Sequence, residues 1–393
     1  MRANPGGLLD IDDIVGRDEF LAQLWDVFDW NSVSLEADRR VGKTSVLRKL
    51  CAAPPSGWEA AYLDVGKAHS AAEFAEIVAG DVFKRLKGWD RPAARLAEYL
   101  FPPPAALGEP IFLLAARDHS RVGSWKHLLT AAIEDLVEQQ KEVGRRVVFL
   151  FDELPWMLQA VALRENSLAA AEILDVLRSL RQSWTAGRGF RMLICGSIGM
   201  HHVLRLVDGH AAPLNDVMKM TLPPLSQADT LELAERLIAS EGLISSEVDL
   251  ISQAIADETA GYPYYIHWIV SRLVSDGGPV TASRVREVTK RALADPNDPW
   301  DLKYYRNRLV ELYPQDGDIP FLLLDTLAVA EQPVRLAAVR EIGQRAGVRD
   351  GEKVRELLRL LVLDYYLIRD PEAGYSFRLP FLRRWWVHDR ELA

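Results

Sequence analysis

Apolar and polar positions change rhythm three times along the chain. Through about residue 225, short apolar runs alternate with longer amphipathic stretches. The runs "NSVSLEA" (31–37), "EAAYLDVG" (59–66), "RVVFLFDE" (146–153), "FRMLICGS" (190–197) and "VMKMTLPP" (217–224) read as strands. The stretches 17–30, 43–53, 70–87, 124–143 and 167–187 read as helices. The middle strands are almost continuously apolar, the pattern of parallel strands buried on both faces. Strands alternating with helices predict an α/β class and a doubly wound parallel sheet. Residues 88–123, with three consecutive prolines, interrupt the alternation and read as an insertion.

From 226 to 298 strand signals vanish. "SQADTLELAERLIASEG", "EVDLISQAIADETAG", "PYYIHWIVSRLVSDG" and "TASRVREVTKRALA" predict a small helical domain. Residues 299–318 follow as a connecting helix. Beyond them, helices are expected at 319–330, 334–346 and 351–362. "YYLIRD" and "YSFRLP" then flank the turn "PEAG", a β-hairpin signature. Three helices followed by a hairpin make a winged-helix pattern. The expected organisation is a core over 1–225, a helical domain over 226–298, the connecting helix over 299–318 and a winged helix over 319–393.

Composition narrows the function classes. A chain of 393 residues is too long for one compact core. With 49% hydrophobic and 26% charged residues and no low-complexity tract, it reads as folded and soluble. No run of 18 apolar residues appears, and "MRANPGGLLDIDD" lacks an apolar signal core, so a cytoplasmic protein without a membrane partner is expected. Cys51 and Cys195 sit in apolar contexts and read as buried thiols. A net charge of −9 opposes indiscriminate binding to nucleic acid.

The chemistry gathers at two strand ends. "LEADRRVGKTSVL" (35–47) holds most of a phosphate loop of the form G-x-x-x-x-G-K-[ST] between a strand and a helix. The backbone N–H groups of Arg40, Val41, Gly42, Lys43, Thr44 and Ser45, at a helix start, suit phosphate. Lys43 would reach the β- and γ-phosphates and Thr44 would hold Mg²⁺. Ala37 stands where the first glycine belongs, at a cost of about 1 kcal/mol unless φ must be positive. The strand "RVVFLFDE" ends in Asp152 and Glu153. Asp152 fits a Mg²⁺ ligand, acting through water, and Glu153 fits the base for an attacking water; a solvated strand terminus is the plainer alternative for the pair. Ser197 ends "FRMLICGS", where a small polar residue would sense the γ-phosphate or the water; a turn serine is the plainer alternative.

The stretches "IVGRDEFLAQL" (14–24), "RRVGKTSVLRKL" (39–50), "FLFDELPWML" (149–158), "LICGSIGMHHVL" (193–204), "PLNDVMKMTLPPLS" (213–226), "GYPYYIHWI" (261–269) and "FRLPFLRRWW" (377–386) together carry a resemblance. The chain resembles the archaeal-type ATPases, in the STAND branch of the AAA+ P-loop NTPases and related to the origin recognition family. The resemblance covers nearly the whole chain apart from 88–123. It implies a P-loop sheet core, an all-α lid and a C-terminal winged helix, with ATP or ADP and Mg²⁺ as cofactors. It also implies Val15, Gly16 and Arg17 near the adenine, and Gly261 and Pro263 as the lid's G-x-P motif; a helix-breaking turn is the alternative there. Two departures stand out. Ala37 and Asp38 replace the usual Gly-Pro, and "PLNDV" lacks an arginine that would serve a neighbouring subunit. Asp38 adds negative charge near the phosphates, which should weaken affinity modestly unless Arg39 or Arg40 compensates.

At the C-terminus, 12 basic and 11 acidic residues from 319 onward give no strong charge signal. Arg378, Arg383, Arg384 and Arg390, interleaved with Trp385 and Trp386, would suit DNA. The alternative is that the aromatics seal the domain core while the arginines are solvated. Glu352 and Glu356 on the third helix oppose entry into a DNA groove. The expected function is a slowly turning over, Mg²⁺-dependent ATPase switch acting with DNA, a protein partner or further copies of itself. The alternative is a DNA-binding or scaffold protein that holds nucleotide structurally.

Overall fold

The structure is a computed structural model, and it describes residues 1–86, 124–183, 189–207, 214–345, 347–348 and 350–392. The expected insertion at 88–123 lies outside the described residues. The chain forms two compact units, Arg17–Ala37 with Lys43–Leu222, and Met1–Gly16 with Asp38–Gly42 and Pro223–Ala393.

The first of these is a parallel α/β unit. Its strands are β1 (Ser32–Glu36), β2 (Trp58–Asp64), β3 (Arg146–Asp152), β4 (Phe190–Cys195) and β5 (Val217–Thr221), all five at the predicted runs. They pair in the order β2-β3-β4-β1-β5, every pair parallel. The helices are α1 (Asp18–Phe28), α2 (Lys43–Ala52), α3 (Ala71–Arg85), α4 (Ser124–Glu142), α5 (Leu154–Arg164), α6 (Ser167–Ser183) and α7 (Met200–Leu206). Helices α5 and α7 lie outside the predicted segments; α5 starts two residues behind β3, where the apolar run hides the change of period, and α7 is only 7 residues long.

Strand β3 shows why this sheet holds. Val147, Val148, Phe149, Leu150 and Phe151 are all fully buried, as a central parallel strand covered on both faces requires. Each such side chain contributes about 1.5–3 kcal/mol of apolar burial. The register aligns Asp64 with Asp152 and leaves Glu153 just past the strand end. Strand β4 lies between β3 and β1, so the strand leading to Ser197 separates the acidic strand from the strand leading to residues 37–45.

The other unit is mainly helical. Helices α8 (Gln227–Ser240), α9 (Val248–Thr259), α10 (Pro263–Asp276) and α11 (Ala282–Ala294) match the four predicted segments. Ser226 and Thr281 cap α8 and α11 by accepting from the backbone N–H three residues on. Helix α12 (Lys303–Leu312) occupies the predicted connecting segment. The C-terminal part has α13 (Ile319–Val329), α14 (Leu336–Arg345), α15 (Gly351–Leu363), the antiparallel hairpin β6 (Leu367–Asp370) and β7 (Gly374–Phe377), and α16 (Pro380–Asp389). Three helices and a hairpin form the winged helix. Helix α16 was not foreseen as a helix; Pro380 at its first turn pre-sets the backbone for it.

Candidate nucleotide site

Within the α/β unit the site grows from three adjacent strand ends. Lys43 opens α2, and its Nζ donates to the Ala37 carbonyl at 3.4 Å. Thr44 Oγ1 donates to Asp152 Oδ2 at 3.5 Å. The same Oδ2 accepts from Tyr62 Oη at 3.2 Å, and Oδ1 accepts from Cys195 Sγ at 3.3 Å. Asp152 is thus a buried carboxylate with three side-chain donors around it. Burial first, then the Asp152 charge, raises the Tyr62 hydroxyl above its ordinary pKa, so it stays a donor. Burial followed by Asp152 likewise raises the Cys195 thiol.

Glu153 adopts a left-handed backbone conformation, φ 61°, at the start of α5. Such a conformation costs a non-glycine residue about 1–2 kcal/mol. It turns the chain sharply out of β3, and the Ser197 amide and hydroxyl each donate to Glu153 Oε2 at 2.8 Å. Two glycines make room for the turn. A Cβ on Gly196 would stand 2.8 Å from Pro155 Cδ, and one on Gly66 3.0 Å from Glu153 Cβ.

Among the predicted residues, the α/β unit therefore brings Thr44 to Asp152 and Ser197 to Glu153. Ser45 lies in α2 beside them in sequence, and Arg17 is the buried residue preceding α1. Tyr62, Cys195, Gly66 and Gly196 escaped sequence reasoning. Cys195 and Gly196 lie within the run "LICGS", whose sequence marks Cys195 only as a buried thiol; Tyr62 sits on an apolar strand with nothing to distinguish it.

The other expected residues belong to the helical unit. Val15 is buried, and Gly16 has φ 68° with no room for a Cβ, which would lie 2.6 Å from Asp229. Arg40 and Gly42 are both left-handed, at φ 67° and 101°, whereas Ala37 keeps an ordinary negative φ. The missing first glycine is therefore not where the loop needs conformational freedom. Gly261 has φ 77°, and a Cβ there would meet the Leu225 carbonyl oxygen at 2.4 Å. Together with Pro263 at the first position of α10 it makes the sharp turn between α9 and α10.

Two charge expectations are corrected. Asp38 is 3% exposed, and its carboxylate accepts from Tyr262 Oη at 2.8 Å and Tyr305 Oη at 3.0 Å. Arg39 and Arg40 both pair with Asp301, at 2.6 and 3.1 Å, so neither serves as a counter-charge for Asp38. In the winged helix, Trp385 and Trp386 are buried as core aromatics. The arginines beside them are engaged rather than simply solvated. Arg383 Nε donates to the Ala328 carbonyl at 2.8 Å, Arg384 pairs with Glu258 at 2.6 Å and Arg390 with Asp325 at 2.8 Å. The Arg378 guanidinium lies 4.9 Å from the centre of the Tyr365 ring.

Among the described residues no helix is long and apolar enough to cross a membrane. No family model and no curated protein matches the chain. Solved structures do. The ORC2 protein of Aeropyrum pernix, in ADPNP–ADP complexes, is 13% identical with a TM-score of 0.55, over 96% of this chain and 93% of that one. The ORC1 protein of the same organism, in complex with DNA, is 13% identical with a TM-score of 0.40, over 97% and 94%. A STAND protein with a tetratricopeptide repeat sensor from Pyrococcus horikoshii is 13% identical with a TM-score of 0.37, over 100% of this chain and 44% of that one. The parallel sheet, the helical bundle and the winged helix, aligned over nearly the whole of both chains, give this chain a fold similar to that of the Aeropyrum pernix ORC2 protein.

Proposed function

We propose that the chain is an ATP-binding and ATP-hydrolysing molecular switch. The observation that carries this reading is the meeting of Thr44 with Asp152 and of Ser197 with Glu153 at neighbouring strand ends. The backbone N–H groups of residues 40–45 and the Lys43 ammonium bind the phosphates. Thr44 and Asp152 offer hard oxygen donors that suit Mg²⁺, with Asp152 acting through water. Bound there, Mg²⁺ neutralises charge on the phosphate oxygens. Glu153 takes the proton from the water that attacks the γ-phosphorus, and Ser197 aims its carboxylate. Val15, Gly16 and Arg17 are assigned to the adenine, and Gly261 and Pro263 to the lid side of the nucleotide.

The working organisation is a core over 1–225, a lid over 226–298, a connecting helix over 299–318 and a winged helix over 319–393. The internal partners of Arg383, Arg384 and Arg390 favour a winged helix that packs and locks over one that reads DNA. Two free thiols, Cys51 and Cys195, fit a cytoplasmic setting.

Calorimetry with ATP and Mg²⁺ tests the reading. The wild type should bind and Lys43→Ala should not, because that change removes the fixed positive charge aimed at the phosphates. Equal affinities reject the site. A protein that holds nucleotide structurally would bind but show no turnover above that of Glu153→Gln.

A further inference from the structure

The triplet Asp38-Arg39-Arg40, just before Val41-Gly42-Lys43, meets five side chains of one stretch, 262–305. Tyr262 and Tyr305, each 1% exposed, donate to opposite oxygens of Asp38. The Arg39 amide adds a third bond, to Oδ1, at 2.7 Å. Asp301 takes both guanidinium groups. Arg39 lies 3.9 Å from the Tyr304 ring centre, and Arg40 lies 3.9 Å from that of Tyr264. Tyr305 is itself held from the winged helix, because its carbonyl accepts from the buried Tyr366 Oη at 2.6 Å. One turn along α12, the buried Arg308 pairs with Asp364 at 2.9 Å.

A carboxylate this deeply buried is tolerable only while its donors stay in place. A small shift of the loop would strand it. The contacts also hold a strained conformation, since Arg40 is left-handed without being glycine. An unanchored loop would relax out of it.

We propose that Asp38 is a positioning residue that pre-forms the phosphate loop by anchoring it to Tyr262 and Tyr305, and through Tyr305 to the winged helix. The proposal rests on the reading of residues 37–45 as a nucleotide loop. Its consequence is that nucleotide affinity depends on two tyrosine hydroxyls that belong to the lid and the connecting helix. A hydrogen bond to a buried charge is strong enough that losing both should weaken ADP binding about tenfold to a hundredfold.

The test has two independent arms on the full chain. In the first, amide hydrogen exchange is followed at residues 38–42 without nucleotide, in wild type, Tyr305→Phe and Tyr262→Phe/Tyr305→Phe. The loop amides should exchange at least about tenfold faster in the double variant, with the far side of the sheet (β2 and β3) unchanged. In the second, ADP–Mg²⁺ affinity is measured for the same proteins and for Asp38→Asn. The milder Asp38→Asn keeps the shape and one acceptor, so it should lose less than the double phenylalanine variant and remain folded where that variant fails. In an Asp38→Ala background, Tyr305→Phe should have little further effect, since its partner is already gone. Unchanged loop exchange in the double variant overturns the proposal, as do fully additive effects of Asp38→Ala and Tyr305→Phe. Absence of ADP binding in the wild type would instead reject the nucleotide reading, while the exchange arm still judges the anchor.

Discussion

Ser197 holds Glu153 twice: its amide and its hydroxyl both donate to the same carboxylate oxygen, Oε2, at 2.8 Å. The amide bond survives any substitution at 197 except proline, but the hydroxyl does not. Glu153 sits on a strained backbone, so its aim depends on these bonds rather than on a relaxed helix start. Ser197→Ala should lower ATP turnover about tenfold with nucleotide affinity nearly unchanged, from the loss of one hydrogen bond to a charged group. Glu153→Gln should bind ATP and leave it unhydrolysed. A steady-state assay paired with calorimetry reads both. Wild-type turnover in Glu153→Gln would remove the residue from its assigned role.

Ala37 bears on whether the proposed phosphate loop is functional. Its φ is negative, and the left-handed positions are Arg40 and Gly42. Ala37→Gly therefore relieves no strain and adds freedom to the unfolded chain. It should lower stability by about 0.5–1 kcal/mol and change nucleotide affinity by less than about tenfold. Denaturant unfolding and an ADP titration check the two numbers. Binding rescued from undetectable to micromolar by this change would show that the alanine had disabled the loop.

Much of this site was legible because its residues are close in sequence to strand ends, which the apolar runs mark. Asp152, Glu153 and Ser197 all fell on such ends. What period and motif do not carry is who meets whom at long range. Tyr62 reaches Asp152 across 90 residues, and Tyr305 reaches Asp38 across 267. The sequence showed Asp38 only as a misplaced negative charge, because its tyrosine partners look like ordinary core aromatics. Helix α5 was missed for a related reason: "LPWML" continues the apolar character of β3, and only the left-handed turn at Glu153 separates the two. The motif G-Y-P drew attention to Gly261 and Pro263, whereas the residue between them, Tyr262, makes the bond to the loop.

His267 should give the helical unit an acid-sensitive stability. It is 2% exposed, its Nδ1 accepts from the Asn4 amide at 3.2 Å, and its Nε2 is buried with no partner among the described residues. Burial lowers its pKa to about 4 from the ordinary 6.5, because the folded state disfavours the charged ring. The stability this contributes is complete above about pH 6.5 and is lost as the pH falls from there through 4. The full loss is on the order of 3 kcal/mol. Asp38, raised by burial, acts in the opposite direction, so the readout is the difference between wild type and His267→Gln. Urea unfolding from pH 7 to pH 4 should show a steeper fall for the wild type. Parallel curves would mean that the ring charges without penalty.

The last prediction concerns Arg383 and Arg384, which as DNA ligands would each neutralise a phosphate. Each phosphate contact contributes about −0.9 to the log–log salt slope of duplex binding, so removing two would reduce its magnitude by about two. The structure gives both guanidinium groups other work. Arg383 secures the end of α13 through the Ala328 carbonyl, and Arg384 ties α16 to α9 through Glu258. Asp325 completes the arrangement by accepting from Trp386 Nε1 at 2.8 Å and from Arg390. Replacing both arginines with alanine should therefore cost stability. The Arg383 bond to a carbonyl is worth about 1–2 kcal/mol, and the Arg384 pair less, since that side chain is 46% exposed and water screens it. Any affinity for duplex DNA should keep its salt slope in the double variant, while ATP turnover changes as the winged helix loosens from α9. A salt titration beside a turnover assay separates the outcomes. A slope reduced by two with stability intact would return the arginines to DNA.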